Sequence, residues 1–151
     1  MGTRVTGLDL EKPLSREEQE KLSSAFLEHH LLCIQAPPLS PNRLLELSKY
    51  FGVPQIQLLR NQWDSDCPEV SILESTYKDA KSKPDDLSTL RLSGWHTDDS
   101  YFQTPAKATL LQALEIPTIG GQTCFINTRK AYEEMPETVK INIENLMAVH
   151  S

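Results

Sequence analysis

The stretch Gly94-Trp95-His96-Thr97-Asp98-Asp99-Ser100-Tyr101 carries the residues best suited to chemistry in this chain. At its centre His96 and Asp98 stand one residue apart. In an extended segment, side chains two apart point to the same face. The imidazole and the carboxylate then converge, while Thr97 turns away. A neutral nitrogen and an anionic oxygen meeting at one point supply two of the three ligands of a 2-His-1-carboxylate facial triad. That arrangement holds Fe(II) and leaves positions open for a bidentate co-substrate and for dioxygen. A single His-x-Asp also recurs in ordinary solvated turns, so the case for a metal has to come from the surrounding residues.

The supply of further ligands is short. The four histidines are His29, His30, His96 and His150, and the three cysteines are Cys33, Cys67 and Cys124. An odd cysteine count without a Cys-x-x-Cys pair argues against a zinc ribbon or a disulfide framework. It points to a reducing, cytoplasmic setting. Cys33 lies in an apolar run and is expected in the core. The net charge of −6 and a pI near 5.2 argue against nucleic acid as a partner, since phosphate binding needs a basic surface. No apolar run is long enough to span a bilayer, and the first seven residues lack the apolar centre of a secretory signal. Met1-Gly2 invites N-myristoylation, but the segment runs straight into fold-like sequence, so lipidation is not expected. A length of 151 residues suits one domain.

Several elements must position the triplet. Val5, Leu8 and Leu10 suggest a short strand or extended lead-in. Ser15 with Glu18 three residues later is a capping box, and Leu22, Phe26 and Leu27 share a face, so a helix is expected from about 16 to 29. His29 and His30 fall at its end, where they read as terminators. Leu31-Leu32-Cys33-Ile34 reads as a buried strand stopped by Pro37-Pro38. Ser40-Pro41 opens a second helix with an apolar face of Leu44, Leu45, Leu47 and Phe51, and Gly52 is its expected stop. Val70-Ser71-Ile72-Leu73 is a plausible strand. Residues 78 to 86 read as an exposed charged loop, more solvated surface than lid. Beyond the triplet, residues 108 to 114 are apolar nearly throughout and suit a strand buried on both faces. Thr123 to Asn127 suits another strand. Helical sequence begins at about Thr128, and Pro136 in a first turn opens a final helix with Val139, Ile143 and Leu146 on one face.

Leu14-Ser15, the Leu31-to-Ile34 strand, Phe51-Gly52, Trp95-His96-Thr97-Asp98 and Gly120-Gly121-Gln122-Thr123 occur in that order. In this the chain resembles the taurine/2,4-dichlorophenoxyacetate dioxygenase (TauD/TfdA) family over its whole length. The resemblance implies a mixed α+β fold: a double-stranded β-helix (a cupin-like jelly roll) with N-terminal helices. It implies Fe(II) as cofactor, 2-oxoglutarate as co-substrate and O₂ as oxidant, acting on a small organic substrate. His96 and Asp98 would ligate the metal, and Thr123 would donate its hydroxyl to a carboxylate of 2-oxoglutarate. Gly120 and Gly121 would shape the turn that positions Thr123. Trp95 would pack in the barrel. Asp99 and Tyr101 lie where the family lines its substrate pocket. Gln122 stands where the family usually has Asp.

Two departures qualify the resemblance. No histidine lies between Tyr50 and Trp95, where the family's taurine-binding member has one, so taurine is not the expected substrate. The family's third iron ligand and its 2-oxoglutarate-clamping arginine lie well beyond the Gly-Gly-x-Thr turn, and His150 reads as a structural residue at a helix end. Residues 1–151 are therefore expected to hold one such domain, incomplete at the C-terminal end before the third ligand. Alone they are expected to be inactive and to self-associate, because a half-built roll exposes apolar strand edges. The competing readings are a catalytically inactive remnant acting as a binding or assembly module, and a generic acidic cupin-like binding domain.

Overall fold

The computed structural model describes residues 1–56, 64–73, 95–116, 118 and 122–147. The chain divides into two compact units, Met1–Pro38 with Gln112–Ser151, and Leu39–Leu111.

The first unit is built on a strand-helix-strand passage: β1 (Thr3–Val5), α1 (Arg16–His29) and β2 (Leu32–Ile34). The strands run parallel, with Thr3 opposite Leu32, Arg4 opposite Cys33 and Val5 opposite Ile34. Parallel strands cannot be joined by a tight turn, and α1 is the crossover that joins these. The helix starts where the sequence implies. The Ser15 N–H donates to Glu18 Oε2 at 2.7 Å, and the Glu18 N–H donates to Ser15 Oγ at 3.3 Å. These reciprocal bonds satisfy donors that the first turn of a helix otherwise leaves open. Leu22 is the buried residue of α1, and Leu10 and Leu14 from the preceding loop are buried as well. The exposed pairs Arg16–Glu20 and Lys21–Glu17 follow i,i+4 spacing but face water, where such pairs contribute little. At the far end His30 adopts a left-handed φ of 64°, and its N–H donates to Phe26 O at 2.8 Å. His29 and His30 thus end the helix, as expected. Two shorter helices complete the unit, α3 (Thr128–Glu133) and α4 (Glu137–Ile143). Asn127 Oδ1 caps α3 by accepting from the Lys130 N–H at 3.0 Å.

In the second unit α2 spans Pro41–Ser48. Ser40 Oγ accepts from the Arg43 N–H at 3.3 Å, and Pro41 occupies the first turn, where its missing N–H costs nothing. Leu39, Leu47 and Cys67 are the buried apolar residues here. Burial pushes the Cys67 thiol up, and the nearby Glu69 and Asp64 carboxylates push it further. That thiol is therefore a packing group rather than a nucleophile. No helix among the described residues is long and apolar enough to cross a membrane.

Several expectations are corrected. Cys33 is exposed: it falls between half-buried Leu32 and Ile34, on the opposite face of a two-stranded pair that has one packed side. The second helix ends at Ser48 rather than at Gly52. Tyr50 and Phe51 donate to Leu47 O and Ser48 O, tighter i→i−3 bonds that close the chain before the glycine. At 70 to 73 there is only an isolated bridge at Ser71. Residues 108 to 113 are not a strand buried on both faces. Ala108, Leu110 and Gln112 are half-buried, whereas Thr109, Leu111 and Ala113 are exposed, and no ladder is formed. Residues 122 to 127 likewise form no strand. In both stretches the residue types suit a sheet, but neither joins a strand ladder among the described residues, and without a ladder there is no strand. Pro136 is the N-cap of α4, and α4 ends before Leu146. The two four-stranded sheets of a jelly roll are not among the described residues. The charged loop at 78 to 86, the glycines 94, 120 and 121, and His150 lie outside them.

Ser40→Ala removes the α2 cap and is expected to destabilise the protein by about 1 kcal/mol, read as a lower urea midpoint. The Ser15 hydroxyl and then its backbone N–H hold the Glu18 carboxyl below its usual value of 4.5. A depressed folded-state value means a contribution present above the unfolded value and lost as pH falls through the lower, folded one. Glu18→Gln should therefore destabilise at neutral pH, and its urea midpoint should converge with that of the parent protein in acid.

Candidate metal centre

The His-x-Asp triplet lies in the second unit, in irregular backbone that becomes a turn at Asp98. The convergence inferred from strand geometry is present, although a strand does not produce it. His96 Nε2 and Asp98 Oδ1 are 3.2 Å apart, and both side chains are at least half exposed, at 59% and 50%. Two ligands on neighbouring corners of an octahedron with bonds of about 2.1 Å stand about 3.0 Å apart. The nitrogen and the oxygen are thus spaced like one edge of a metal coordination sphere. The same distance also suits a hydrogen bond from a protonated Nε2, so a metal bound here displaces that proton.

The turn that follows holds the carboxylate in place. Asp99 has a left-handed φ of 56°, which a short polar side chain tolerates better than most. Its carbonyl accepts from the Phe102 N–H at 3.1 Å. The chain then returns past Pro105, and the Thr109 hydroxyl donates to Asp98 Oδ2 at 3.0 Å. The two oxygens of Asp98 therefore have separate partners, His96 for Oδ1 and Thr109 for Oδ2. Thr109 carried no signal in the sequence reading beyond being a polar residue in an apolar run, eleven positions from its partner. Sequence patterning follows helix and strand periods and does not reach such a contact.

Asp99 and Tyr101 are adjacent to the pair and bonded to each other: the Tyr101 hydroxyl donates to Asp99 Oδ1 at 3.4 Å. Loss of hydration, and secondarily the Asp99 carboxylate, push the Tyr101 phenol above its usual value. The Tyr101 and Phe102 rings lie 4.8 Å apart between centroids. Trp95 is exposed rather than packed. Thr123 is exposed in the other unit. Among the described residues no group of three or more His, Cys, Asp or Glu gathers as a metal cage. A surface cavity of about 290 Å³ in the first unit is lined by His30, Asn127, Arg129, Lys130, Glu133 and Glu134. Its cations are matched by acids one turn on, Arg129 with Glu133 at 2.8 Å and Lys130 with Glu134 at 3.5 Å, so it presents no charge of one sign.

Comparison with known proteins bears on what this pair is for. The sequence model described as "Taurine catabolism dioxygenase TauD, TfdA family" matches residues 1–151. An alkylsulfatase of Acinetobacter baylyi is 30% identical over 152 residues, covering 100% of this chain and 44% of that protein. An (S)-phenoxypropionate/alpha-ketoglutarate-dioxygenase of Sphingobium herbicidovorans is 28% identical over 156 residues, covering 99% of this chain and 50% of that protein. An alpha-ketoglutarate-dependent 2,4-dichlorophenoxyacetate dioxygenase of Cupriavidus pinatubonensis is 26% identical over 153 residues, covering 97% of this chain and 53% of that protein. The chain spans about half the length of the curated relatives it matches. No solved structure matches it.

Because lost hydration, the first cause, and the Asp98 charge remain when Asp99 is neutralised, Asp99→Asn should lower the raised Tyr101 pKa only in part. Ultraviolet titration should still find it above the usual tyrosine value of about 10. A complete return to the usual value would make the Asp99 charge the whole cause.

Proposed function

Because the chain belongs to the taurine catabolism dioxygenase TauD, TfdA family, we propose that it is part of an Fe(II)- and 2-oxoglutarate-dependent dioxygenase. The reaction is oxidative decarboxylation of 2-oxoglutarate coupled to hydroxylation of a small organic substrate. One oxygen atom of O₂ enters succinate and the other the hydroxylated product, and carbon dioxide is released. The observation that carries the reading is the 3.2 Å approach of His96 Nε2 to Asp98 Oδ1, a spacing suited to two ligands of one metal. Fe(II), when bound, supplies the oxygen chemistry, which no side chain performs unaided.

The chain's own residues hold and orient. His96 ligates through a neutral Nε2, which requires its remaining proton on Nδ1. Asp98 contributes the anionic oxygen that offsets part of the metal charge. Thr123 donates its hydroxyl to a carboxylate of 2-oxoglutarate. Asp99 and Tyr101, linked to each other beside the pair, face the substrate. The named substrates of the relatives support a small organic anion as the class, and taurine is not favoured. The third ligand and the cation that clamps the far carboxylate of 2-oxoglutarate come from protein outside residues 1–151, within the same jelly-roll domain. That portion, or a second copy of the chain, covers apolar groups left exposed within each unit, such as Trp95 and Leu111 in one and Phe125 and Ile141 in the other.

A second reading has one observation in its favour, the lack of a three-ligand group among the described residues. In it the chain is an inactive remnant that serves in binding or assembly. Succinate production by the full-length protein separates the two.

In that protein, His96→Ala and Asp98→Ala are each expected to abolish 2-oxoglutarate-dependent succinate formation. Normal turnover by either variant would remove the ligand assignment. Thr123→Val loses one hydrogen bond to a charged acceptor, worth about 1.5–3 kcal/mol. It should raise the 2-oxoglutarate KM roughly ten-fold or more, with a smaller change in kcat.

A further inference from the structure

The geometry points to Thr109 as the residue that positions Asp98 for metal binding through one oxygen. This rests on the reading of His96 and Asp98 as ligands, and adds a residue that the ligand motif does not contain. A carboxylate can chelate a metal with both oxygens or bind with one, and a free aspartate rotor samples both arrangements. Here the rotor is fixed from both sides. Oδ1 faces His96 Nε2 at 3.2 Å, and Oδ2 accepts the Thr109 hydroxyl proton at 3.0 Å. Turning Asp98 to chelate through both oxygens breaks the bond to Thr109, so the hydroxyl favours one-oxygen binding. It thereby keeps a coordination position open. Hydrogen bonds that orient a ligating carboxylate set metal affinity in just this manner.

The backbone supports the assignment. From 106 to 113, half-buried and exposed residues alternate, with Ala106, Ala108, Leu110 and Gln112 half-buried and Lys107, Thr109, Leu111 and Ala113 exposed. Thr109 therefore sits on the exposed side of an extended segment, the side from which it reaches the equally exposed Asp98. Packing does not explain a β-branched hydroxyl there, because an exposed threonine contributes little to a core. The engagement that the described residues show for its side chain is the bond to Asp98 Oδ2.

The test is anaerobic Fe(II) titration of the full-length protein by calorimetry, with the thermal midpoint of each metal-free variant measured alongside. Thr109→Ser keeps the hydroxyl and should bind Fe(II) like the parent. Thr109→Val keeps the shape and should weaken binding about ten-fold or more, with a metal-free midpoint near that of the parent. His96→Ala should lose the site. Parent-like affinity in Thr109→Val beside lost affinity in His96→Ala overturns the role of Thr109 and leaves the ligand assignment standing. Equal losses in Thr109→Ser and Thr109→Val also overturn it, since the hydroxyl would then not matter. Parent-like affinity in His96→Ala removes the ligand assignment and this inference together.

Discussion

The structure depends most on one short contact between a nitrogen and an oxygen. Left to solvation alone, an exposed imidazole and an exposed carboxylate two residues apart sample many separations, and a pair in water gains little by meeting. Here the backbone restricts them. The left-handed Asp99 and the bond from the Phe102 N–H to its carbonyl close a turn immediately after Asp98. The Thr109 hydroxyl then fixes the outer carboxylate oxygen. A residue with left-handed φ fixes the direction in which the chain leaves the pair, and Asp is one of the few side chains that accept it readily. The pair is thereby held at 3.2 Å by the protein itself.

The distribution of buried residues is uneven. All six buried apolar residues among the described ones precede residue 68, from Leu10 to Cys67. Among the described residues from 95 to 147 none is buried, while Trp95, Leu111, Phe125, Ile126, Ile141 and Leu146 are all exposed. Scattered apolar side chains on a surface need no explanation, and these fall in both compact units, Trp95 and Leu111 in the second and the other four in the first. The stretch from 95 to 147 also carries His96, Asp98 and Thr123. The region that carries the proposed site residues is thus the one with no fully buried side chain among its described residues.

What the sequence made legible follows the range of each interaction. The starts of the first two helices were readable because they are decided within one turn: Ser15 with Glu18, and Ser40 with Pro41, state their caps within four residues, whereas the end of the second was not. The order of extended lead-in, helix and strand at the start was readable too, while the parallel pairing of its two strands, about 29 residues apart, was not. Strands were overcounted because sequence shows suitability for a ladder but not the strand that completes it, and residues 108–114 and 123–127 have the composition without joining a ladder among the described residues. Cys33 was misplaced because an apolar run does not reveal which face of a thin sheet is covered. In the site, the i,i+2 spacing anticipated that His96 and Asp98 meet, yet the cause is a turn and not a strand. Thr109 was invisible, since its bond to Asp98 spans eleven residues and follows no period.

The most direct test of the account is paramagnetic NMR of the isotopically labelled full-length protein titrated with Mn²⁺ as a stand-in for Fe(II). Preferential broadening of the amide signals around His96, Thr97 and Asp98 at low metal-to-protein ratio is the expected result, and it should vanish in His96→Ala. Broadening centred on other acidic surface, such as Glu133 and Glu134, with the signals around His96 left sharp, would contradict the claim that this pair is where the metal binds.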